Sequence, residues 1–224
     1  MEVKFIDKMG SDLSVVNAAR VSFSKTSEWE SIPEAGPVDG LLSSQDEKLI
    51  NYLAKHNHWS PFGHASMQFH IKAPVFVARQ LVKHQVGLVW NEVSRRYVDD
   101  EVQFYIPEEW RGAPENSKQG SSEEVIDINP RGSMVDDYQQ VCKKAKWTYE
   151  HLLSQGVAPE QARMVLPQSM MTEWYWSGTL MAFARVCNLR CKSDTQLETQ
   201  MVANQIDEIG EEYFPVSWEA LRNE

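Results

Sequence analysis

The part of the chain best suited to chemistry is the stretch from Lys72 to Arg96, which is basic in an acidic protein. It holds five Lys or Arg residues and one carboxylate, Glu92, a net charge of +4 in a chain of net charge −10. Arg79 and Lys83 stand four residues apart, so both lie on one face of a helix. Because cations without acidic partners favour an anionic ligand, this spacing predicts a phosphate site. The alternative is an ordinary solvated helix face.

Segment 90–97 (WNEVSRRY) follows and concentrates polar groups of several kinds within eight residues. An arginine fork binds phosphate through two hydrogen bonds. An asparagine amide can read the imide edge of a pyrimidine, and a glutamate can accept from N–H or hydroxyl donors. The segment therefore predicts a pyrimidine nucleotide site.

Several common sites are missing from the sequence. There is no G-x-G-x-x-G, no phosphate-binding G-x-x-x-x-G-K-[ST] and no H-E-x-x-H. His56, His58 and His64 could form a metal cluster, but histidines at a helix end more often pack or hydrogen-bond, so we expect no metal. All three cysteines stand outside the polar segment, which disfavours a cysteine nucleophile.

Length and composition limit the class of protein. With 224 residues and 42% hydrophobic residues, we expect one domain spanning 1–224. An acidic chain is a poor general nucleic-acid binder, and no apolar run is long enough to span a membrane. Three cysteines cannot all pair with one another, and the N-terminus has no signal-peptide pattern. We therefore expect a cytoplasmic protein without nucleic-acid or membrane partners.

Apolar patterns predict the elements around the basic stretch. Residues 67–72 alternate like a half-buried strand. A helix is expected to open at Pro74 and to run through Val82, with Gly87 as a plausible end. Residues 93–106 are expected to be extended. The polar stretch 107–134, with three Pro and three Gly, is expected to be a variable loop and the most disordered part of the chain.

Capping patterns predict where other helices begin. Asp12 is expected to cap one helix, and Ser44 with Glu47 forms a capping box for a second, after a loop over 24–43. Ser193 with Gln196 forms another capping box. The remaining helical patterns cover roughly residues 136–155, 159–165, 172–189 and 194–212.

Segments 69–80 (FHIKAPVFVARQ) and 91–97 (NEVSRRY) resemble the flavin-dependent thymidylate synthases, also called the thymidylate synthase-complementing protein family. The resemblance extends to 15–23 (VVNAARVSF), 56–64 (HNHWSPFGH), 162–167 (ARMVLP) and 188–190 (NLR). It implies a mixed α/β subunit of the α+β type, in which long helices flank a mostly antiparallel sheet. It also implies a homotetramer with FAD at the subunit interfaces.

The resemblance implies a reaction: methylation of dUMP at C5, with methylenetetrahydrofolate as carbon donor and NADPH as reductant. It also implies three groups of residues. The catalytic group is Arg190, His58 and Ser94, the last of which we favour as a nucleotide contact. The positions implied to bind dUMP are Gln80, Lys83, Glu92, Ser94, Arg95, Arg96, Arg163 and Arg190. The positions implied to bind FAD are Ser22, Ser60, Lys83, His84, Gln85, Asn91, Thr179 and Arg185.

The chain departs from the family pattern within its signature. Lys83 and Gln85 replace two arginines of an Arg-His-Arg triplet, and eight residues rather than seven separate Gln85 from Ser94. Gly63 and Asp194 stand where the family often has Glu and His. Lys83 keeps a charge without the arginine fork, and Gln85 carries no charge.

Two other functions therefore stay open. The first is flavin-dependent methylation or hydroxymethylation of a different pyrimidine nucleotide. The second is a nucleotide- or flavin-binding protein that has lost catalysis.

Two roles are also open for Arg190. A cation near the pyrimidine would stabilise charge developing in the ring, whereas a cation near a helix C-terminus can simply satisfy carbonyl groups. The chain has no Pro-Cys-His-like site, which excludes the cysteine-dependent thymidylate synthases.

Overall fold

The computed structural model of the protein describes residues 1–30, 40–98, 100–115, 120–126 and 134–222, with the side chains of 134 and 135 left aside. Parts of the two loops expected from the sequence, 31–39, 116–119 and 127–133, lie outside the described residues. No helix among the described residues is long and apolar enough to cross a membrane.

The described elements mix strands and helices along the chain. The strands are β1 (Glu2–Met9), β2 (Ser66–Pro74), β3 (Leu88–Glu92) and β4 (Met171–Thr179). The helices are α1 (Asp12–Arg20), α2 (Ser44–Lys55), α3 (Val75–Leu81), α4 (Met134–Ser154), α5 (Pro159–Ala162), α6 (Leu180–Arg190), α7 (Leu197–Tyr213) and α8 (Pro215–Arg222). Short 3-10 turns occupy Val21–Phe23, Pro61–His64 and Arg163–Val165.

The four strands form one antiparallel sheet in the order β1-β2-β4-β3. Residues 67, 69 and 71 of β2 and 174 and 176 of β4 are buried on one face. The ring of Phe183 on α6 packs edge-on against Phe69 and Trp176, with ring centroids 4.9 Å and 5.2 Å away. The expected mixed α/β subunit with an antiparallel sheet is confirmed.

The prediction of a helix over 172–189 was wrong in its first half. Residues 171–179 form β4, which is paired along both edges, and α6 begins only at Leu180. Trp174 and Trp176 are buried while Tyr175 between them is 48% exposed, which is the two-residue period of a strand. Aromatic residues also favour strands.

The region after α3 also differs from the expectation. The helix ends at Leu81, and Gly87 has a φ of +77° in the tight turn that leads into β3. Strand β3 lies just before the segment that was expected to be extended, at 88–92, and Ser94–Tyr97 form a turn closed by a 2.9 Å bond from the Tyr97 N–H to the Ser94 carbonyl oxygen. Extended pairing returns at Phe104, which forms an antiparallel bridge with Met170.

Three predicted helix caps were misplaced. Helix α1 is capped by Ser11 and α2 by Ser43, whose hydroxyl accepts from the Asp46 N–H at 3.2 Å. The carboxylate of Asp12 instead accepts from the N–H groups of Val216 and Ser217 at 3.0 Å and 2.9 Å, so it caps the distant helix α8. The third expected cap, the capping box of Ser193 with Gln196, is not found at α7, which starts at Leu197 and has no side-chain cap. Helix α8 was not predicted from the sequence.

Candidate functional site

Helix α3 positions one side chain in each of two cavities. It packs through Val77, Ala78 and Leu81, which are buried. Arg79 lies exposed at the first cavity, and the half-buried Gln80 lies at the second. Adjacent residues of a helix point about 100° apart, so one short helix can serve both cavities.

The first cavity, here called the arginine pocket, has a volume of about 410 Å³ and is lined by Arg79, Arg95 and Arg163 with Glu92 and Glu160. Arg95 donates to the carbonyl oxygen of Asp100 at 2.5 Å. The side chains of Arg79 and Arg163 make no hydrogen bond or ion pair with any described residue. Two uncommitted guanidinium groups beside a third can bind a phosphate through paired hydrogen bonds.

The carboxylate of Glu92 is held in a defined orientation at the edge of this pocket. Thr172 on β4 donates its hydroxyl to Glu92 Oε1 at 2.7 Å. The indole N–H of Trp90 donates to Glu92 Oε2 at 3.3 Å, and the Trp90 ring stacks on Trp174 with centroids 4.4 Å apart. Each oxygen keeps free lone pairs, so Glu92 can still accept from a ligand donor.

The second cavity, here called the Arg190 pocket, has a volume of about 500 Å³ and is lined by Gln80, Arg111, Arg190 and Gln196, among others. Arg190 donates from Nε to His84 Nε2 at 3.0 Å. Burial, together with the charge of Arg190, lowers the pKa of His84 below its ordinary value. Burial also lowers the pKa of the Arg190 guanidinium. An arginine remains charged at neutral pH even so, because its ordinary pKa is far above 7.

Gln80 is fixed by two partners on the far side of this pocket. Its amide nitrogen donates to the side-chain oxygen of Gln196, and the Thr199 hydroxyl donates to Gln80 Oε1 at 3.1 Å. Gln196 was expected to belong to a capping box. In the structure its side chain reaches α3 instead, across 116 positions of sequence.

A third cavity of about 440 Å³ lies between these two and is lined by aromatic rings. Pro167 and Gln168 line both it and the arginine pocket, whereas Arg111 and Gln196 line both it and the Arg190 pocket. Its rings are those of Phe76, Tyr105, Trp110 and Tyr138. The three cavities therefore adjoin one another in a row, here called the groove, with basic residues at its ends and aromatic residues at its centre.

An ion pair in this groove was not predicted from the sequence. Arg111, in the expected loop, bonds to Glu198 Oε1 on α7 at 2.6 Å. Glu198 is 4% exposed, and the phenol of Tyr105 also approaches its Oε1 at 3.5 Å. Separation of this pair would leave the buried Glu198 carboxylate without a compensating charge, which is costly. The ion pair therefore holds Arg111 in place between two cavities.

The residues expected to bind ligands fall into four groups. Glu92, Arg95 and Arg163 meet in the arginine pocket, whereas Gln80 and Arg190, with His84, meet at the Arg190 pocket. Ser94 accepts from Arg96 Nε at 3.1 Å in the turn after β3, and Thr179 caps α6 by accepting from the Ala182 N–H at 3.2 Å. The others lie exposed on the surface of the single chain: Ser22, His58, Ser60, Lys83, Gln85, Asn91 and Arg185.

Some groove residues were missed or undervalued. The basic helix face singled out Arg79, but only the fold places it beside Arg163. Thr172, Arg111 and Glu198 carry no local signal for these contacts, because Thr172 lies 80 positions from Glu92 and Arg111 lies 87 positions from Glu198. Within the described ranges, no cluster of three His, Cys, Asp or Glu side chains could hold a metal ion.

Comparison with known proteins gives a consistent result. Residues 4–216 match the family model described as thymidylate synthase complementing protein. The flavin-dependent thymidylate synthase of Kosmotoga olearia is 39% identical over 223 residues, with 99% of this chain and 90% of the relative covered. A flavin-dependent thymidylate synthase of Thermus thermophilus is 36% identical over 219 residues, covering 98% of this chain and 74% of the relative.

Solved structures show a related fold. The crystal structure of a UMP/dUMP methylase PolB from Streptomyces cacaoi bound with 5-Br dUMP has a TM-score of 0.78 and 31% identity, with 99% of this chain and 94% of the other covered. The same methylase bound with 5-Br UMP has a TM-score of 0.77 and 30% identity, covering 99% and 93%.

Proposed function

Since the chain belongs to the thymidylate synthase-complementing protein family, the flavin-dependent thymidylate synthases, we propose that it methylates dUMP at C5 to give dTMP. The observation that carries the proposal is the convergence of Glu92, Arg95 and Arg163 in one cavity. Arg163 lies in a segment that is distant in sequence from Glu92 and Arg95, and the resemblance assigns all three residues to dUMP.

We assign the nucleotide phosphate to the arginine pocket, where Arg79 and Arg163 are uncommitted and Arg95 is close by. A phosphate bound there would gain charge-assisted hydrogen bonds. Ser94 and Arg96, in the adjoining turn, extend the donors available to it. Lys83 lies exposed in the turn that follows α3, and it adds a cation to the approach of an anionic ligand.

Binding and polarisation of the pyrimidine belong to the Arg190 pocket. Gln80 can pair with the imide edge, since Gln196 and Thr199 hold its amide in place. The Arg190 guanidinium would polarise the pyrimidine and stabilise negative charge on the ring oxygens when C5 is activated. His84 accepts from Arg190 and so orients that guanidinium.

The surface residues expected to bind FAD suit that cofactor chemically. Ser22, Ser60, Gln85 and Asn91 offer hydrogen bonds, and Lys83 and Arg185 offer charge for a pyrophosphate. Thr179 adds a hydroxyl, and His58 adds an imidazole for the flavin and folate side of the site. When bound, FAD supplies the redox chemistry of the methylation, and NADPH and methylenetetrahydrofolate serve as co-substrates.

A homotetramer would complete this cofactor site, because the residues assigned to FAD are mostly exposed in one chain. Large apolar side chains lie exposed beside them: Phe23 next to Ser22, Trp59 next to Ser60, Val86 next to Gln85, and Val89 near Asn91. Exposed apolar patches mark interaction surfaces, so we expect these side chains to lie at subunit contacts. We expect light scattering to give the mass of four chains, each a single domain, and cell fractionation to place the enzyme in the cytoplasm.

The test is product formation by the purified protein with FAD, NADPH, methylenetetrahydrofolate and dUMP. We expect dTMP by mass spectrometry and tritium release from C5-labelled dUMP. An absorption spectrum that bleaches with NADPH, faster when dUMP is present, would show that Lys83 and Gln85 permit flavin binding. Binding of dUMP and FAD without either product would contradict the proposal and leave a nucleotide-binding protein.

UMP is a second candidate substrate, because the similar solved structures are of a protein described as a UMP/dUMP methylase. The same assay with UMP, dUMP and dCMP compares the three directly. A kcat/KM for UMP equal to that for dUMP would assign a broader substrate range than dTMP synthesis.

A further inference from the structure

The groove contains an arginine, Arg111, that has not been assigned to a ligand above. It lines both the Arg190 pocket and the third cavity, here called the aromatic cavity. The aromatic cavity also adjoins the arginine pocket, with which it shares Pro167 and Gln168. A nucleotide with its phosphate in the arginine pocket and its base in the Arg190 pocket would therefore place its sugar in the aromatic cavity.

Backbone contacts at two points hold the region of the chain that carries Arg111. Arg111 itself forms an antiparallel bridge with Val125. Gly120 has a φ of +76°, and a Cβ added there would lie 2.9 Å from the carbonyl oxygen of Asp194, so the backbone packs closely on the connection between α6 and α7. The segment that was expected to be a variable loop therefore presents Arg111 at a defined place in the groove.

The guanidinium of Arg111 is oriented by two partners and keeps donors for a ligand. Its Nη2 donates to Glu198 Oε1 at 2.6 Å, and its Nε donates to the hydroxyl oxygen of Ser121 at 2.8 Å. No described residue accepts from Nη1. The side chain is 22% exposed, so a ligand in the groove can reach it. Because an arginine has five N–H donors, Arg111 can bind a ligand oxygen without giving up either partner.

Two residues that line the aromatic cavity have buried polar atoms without partners. Glu198 lines it, and Oε2 of this carboxylate is buried with no hydrogen-bond partner among the described residues. The indole nitrogen of Trp110, which also lines the cavity, is buried and unpartnered within the same part of the chain. Because a buried polar atom without a partner costs free energy, a ligand with hydroxyl groups is favoured there.

The charge of Arg111 is compensated, unlike the charges of Arg79 and Arg163 in the arginine pocket. Glu198 is only 4% exposed and gives Arg111 a carboxylate partner, whereas Arg79 and Arg163 form no ion pair with any described residue. A phosphate is therefore attracted more strongly to the arginine pocket. The pair of Arg111 with Glu198 suits an uncharged group that both accepts and donates, and a sugar hydroxyl is such a group.

We propose that the pair of Arg111 with Glu198 binds the 3′-hydroxyl of the nucleotide sugar and selects nucleotides that carry it. The inference rests on the proposed function, which supplies the positions of phosphate and base and in which dUMP has this one free sugar hydroxyl. Arg111 donates to the hydroxyl oxygen, and the Glu198 carboxylate accepts the hydroxyl hydrogen. The rings of Phe76, Tyr105 and Tyr138 line the same cavity and cover the apolar face of the sugar.

The first test compares dUMP with 2′,3′-dideoxyuridine monophosphate, which lacks the hydroxyl. Calorimetry on the full-length protein should give a Kd about tenfold higher for the dideoxynucleotide, the value of one hydrogen bond to a charged group. Arg111→Gln should raise the Kd for dUMP by a similar factor and change that for the dideoxynucleotide little, so the two bind alike. Equal Kd values in the wild type, or a full preference for dUMP in folded Arg111→Gln, would overturn the proposal.

Two further variants separate recognition from folding. Arg20→Gln is the matched control, because Arg20 also pairs with a buried carboxylate, that of Asp46, and its side chain is also 22% exposed. It should leave the preference for dUMP unchanged. Arg111→Gln leaves the Glu198 carboxylate without its cation, so the double variant Arg111→Gln with Glu198→Gln removes both charges, and thermal unfolding shows which variants are folded. A full preference for dUMP in the folded double variant would also contradict the role of the pair.

Failure of this inference and failure of the proposed function give different results. A wild-type protein that prefers dUMP to the dideoxynucleotide but forms no dTMP would contradict the proposed methylation and leave the sugar site in place. A protein that forms dTMP but binds the two nucleotides with equal Kd would contradict the sugar site alone. The expected result is dTMP formation together with a preference for dUMP that Arg111→Gln abolishes and Arg20→Gln retains.

Discussion

Arg190 donates its Nε–H to Nε2 of His84 across 3.0 Å, and this contact joins the end of α6 to the turn after α3. The acceptor nitrogen must carry a lone pair, so the contact requires neutral His84 with its proton on Nδ1. Burial and the nearby Arg190 charge lower the pKa of His84, which favours the same form. The orientation of Arg190 therefore depends on the protonation of a neighbouring imidazole.

We expect this histidine to make stability depend on pH. The unfolded chain takes up a proton near the ordinary pKa of 6.5, whereas the folded chain does so only at lower pH. The contribution is therefore present above pH 6.5 and is lost as pH falls through the folded pKa. His84→Gln keeps an acceptor for Arg190 and cannot titrate. The difference in urea-unfolding free energy between wild type and His84→Gln should shrink on acidification, and parallel pH curves would contradict the assignment.

Removal of one arginine from the proposed phosphate site should weaken nucleotide binding. Arg163→Gln loses a guanidinium that no described residue engages, so the folded state should be little affected. Loss of one charge-assisted hydrogen-bond pair should raise the Kd for dUMP about 10- to 100-fold, measured by calorimetry. Glu160→Gln, in the same pocket, is the control and should not weaken binding. Equal weakening in both variants would assign the effect to the local fold.

The orientation of Glu92 should affect catalysis more than stability. Thr172→Val removes the hydroxyl that donates to Glu92 Oε1 at 2.7 Å and preserves the shape of the side chain. We expect kcat/KM for dUMP to fall roughly three- to tenfold, the value of one hydrogen bond. Thr172→Ser keeps the donor and should retain activity. A normal kcat/KM in Thr172→Val would show that Glu92 needs no partner on β4.

The capping role of Asp12 gives a prediction about stability alone. Asp12→Ala leaves the N–H groups of Val216 and Ser217 without their acceptor, and Asp12 is only 3% exposed. We expect unfolding free energy to fall by about 2 kcal/mol, measured by urea denaturation. Asp7→Ala, at an exposed position of β1, should change it by less than about 0.5 kcal/mol. Equal losses in the two variants would contradict the capping role.

Local patterns predicted some elements well and others badly. The strand at 67–72 was recognised because Met67, Phe69 and Ile71 alternate with polar residues, and the sheet buries that face. Strand β4 was missed because its apolar residues run without a break into the apolar pattern of α6, so the whole stretch resembled one helix. Pairing with β2 and β3 makes residues 171–179 a strand, and such pairing with distant residues cannot be recognised from a short stretch of sequence.

The sequence by itself determined the chemistry available to this protein. A basic stretch in an acidic chain, the polar segment 90–97 and the later motifs that contain Arg163 and Arg190 predict an anionic pyrimidine ligand and the family. These are properties of residue type and spacing. They do not depend on which distant segment folds against which.

Only the tertiary structure decided which of those residues meet. Antiparallel pairing of β3 with β4 brings Thr172 to Glu92, and packing of α7 against α3 brings Gln196 and Thr199 to Gln80. The same packing separates the basic residues into two pockets around an aromatic centre. The physical reason is that burial of apolar faces sets these contacts across 80 or more positions, where no local pattern records the partner.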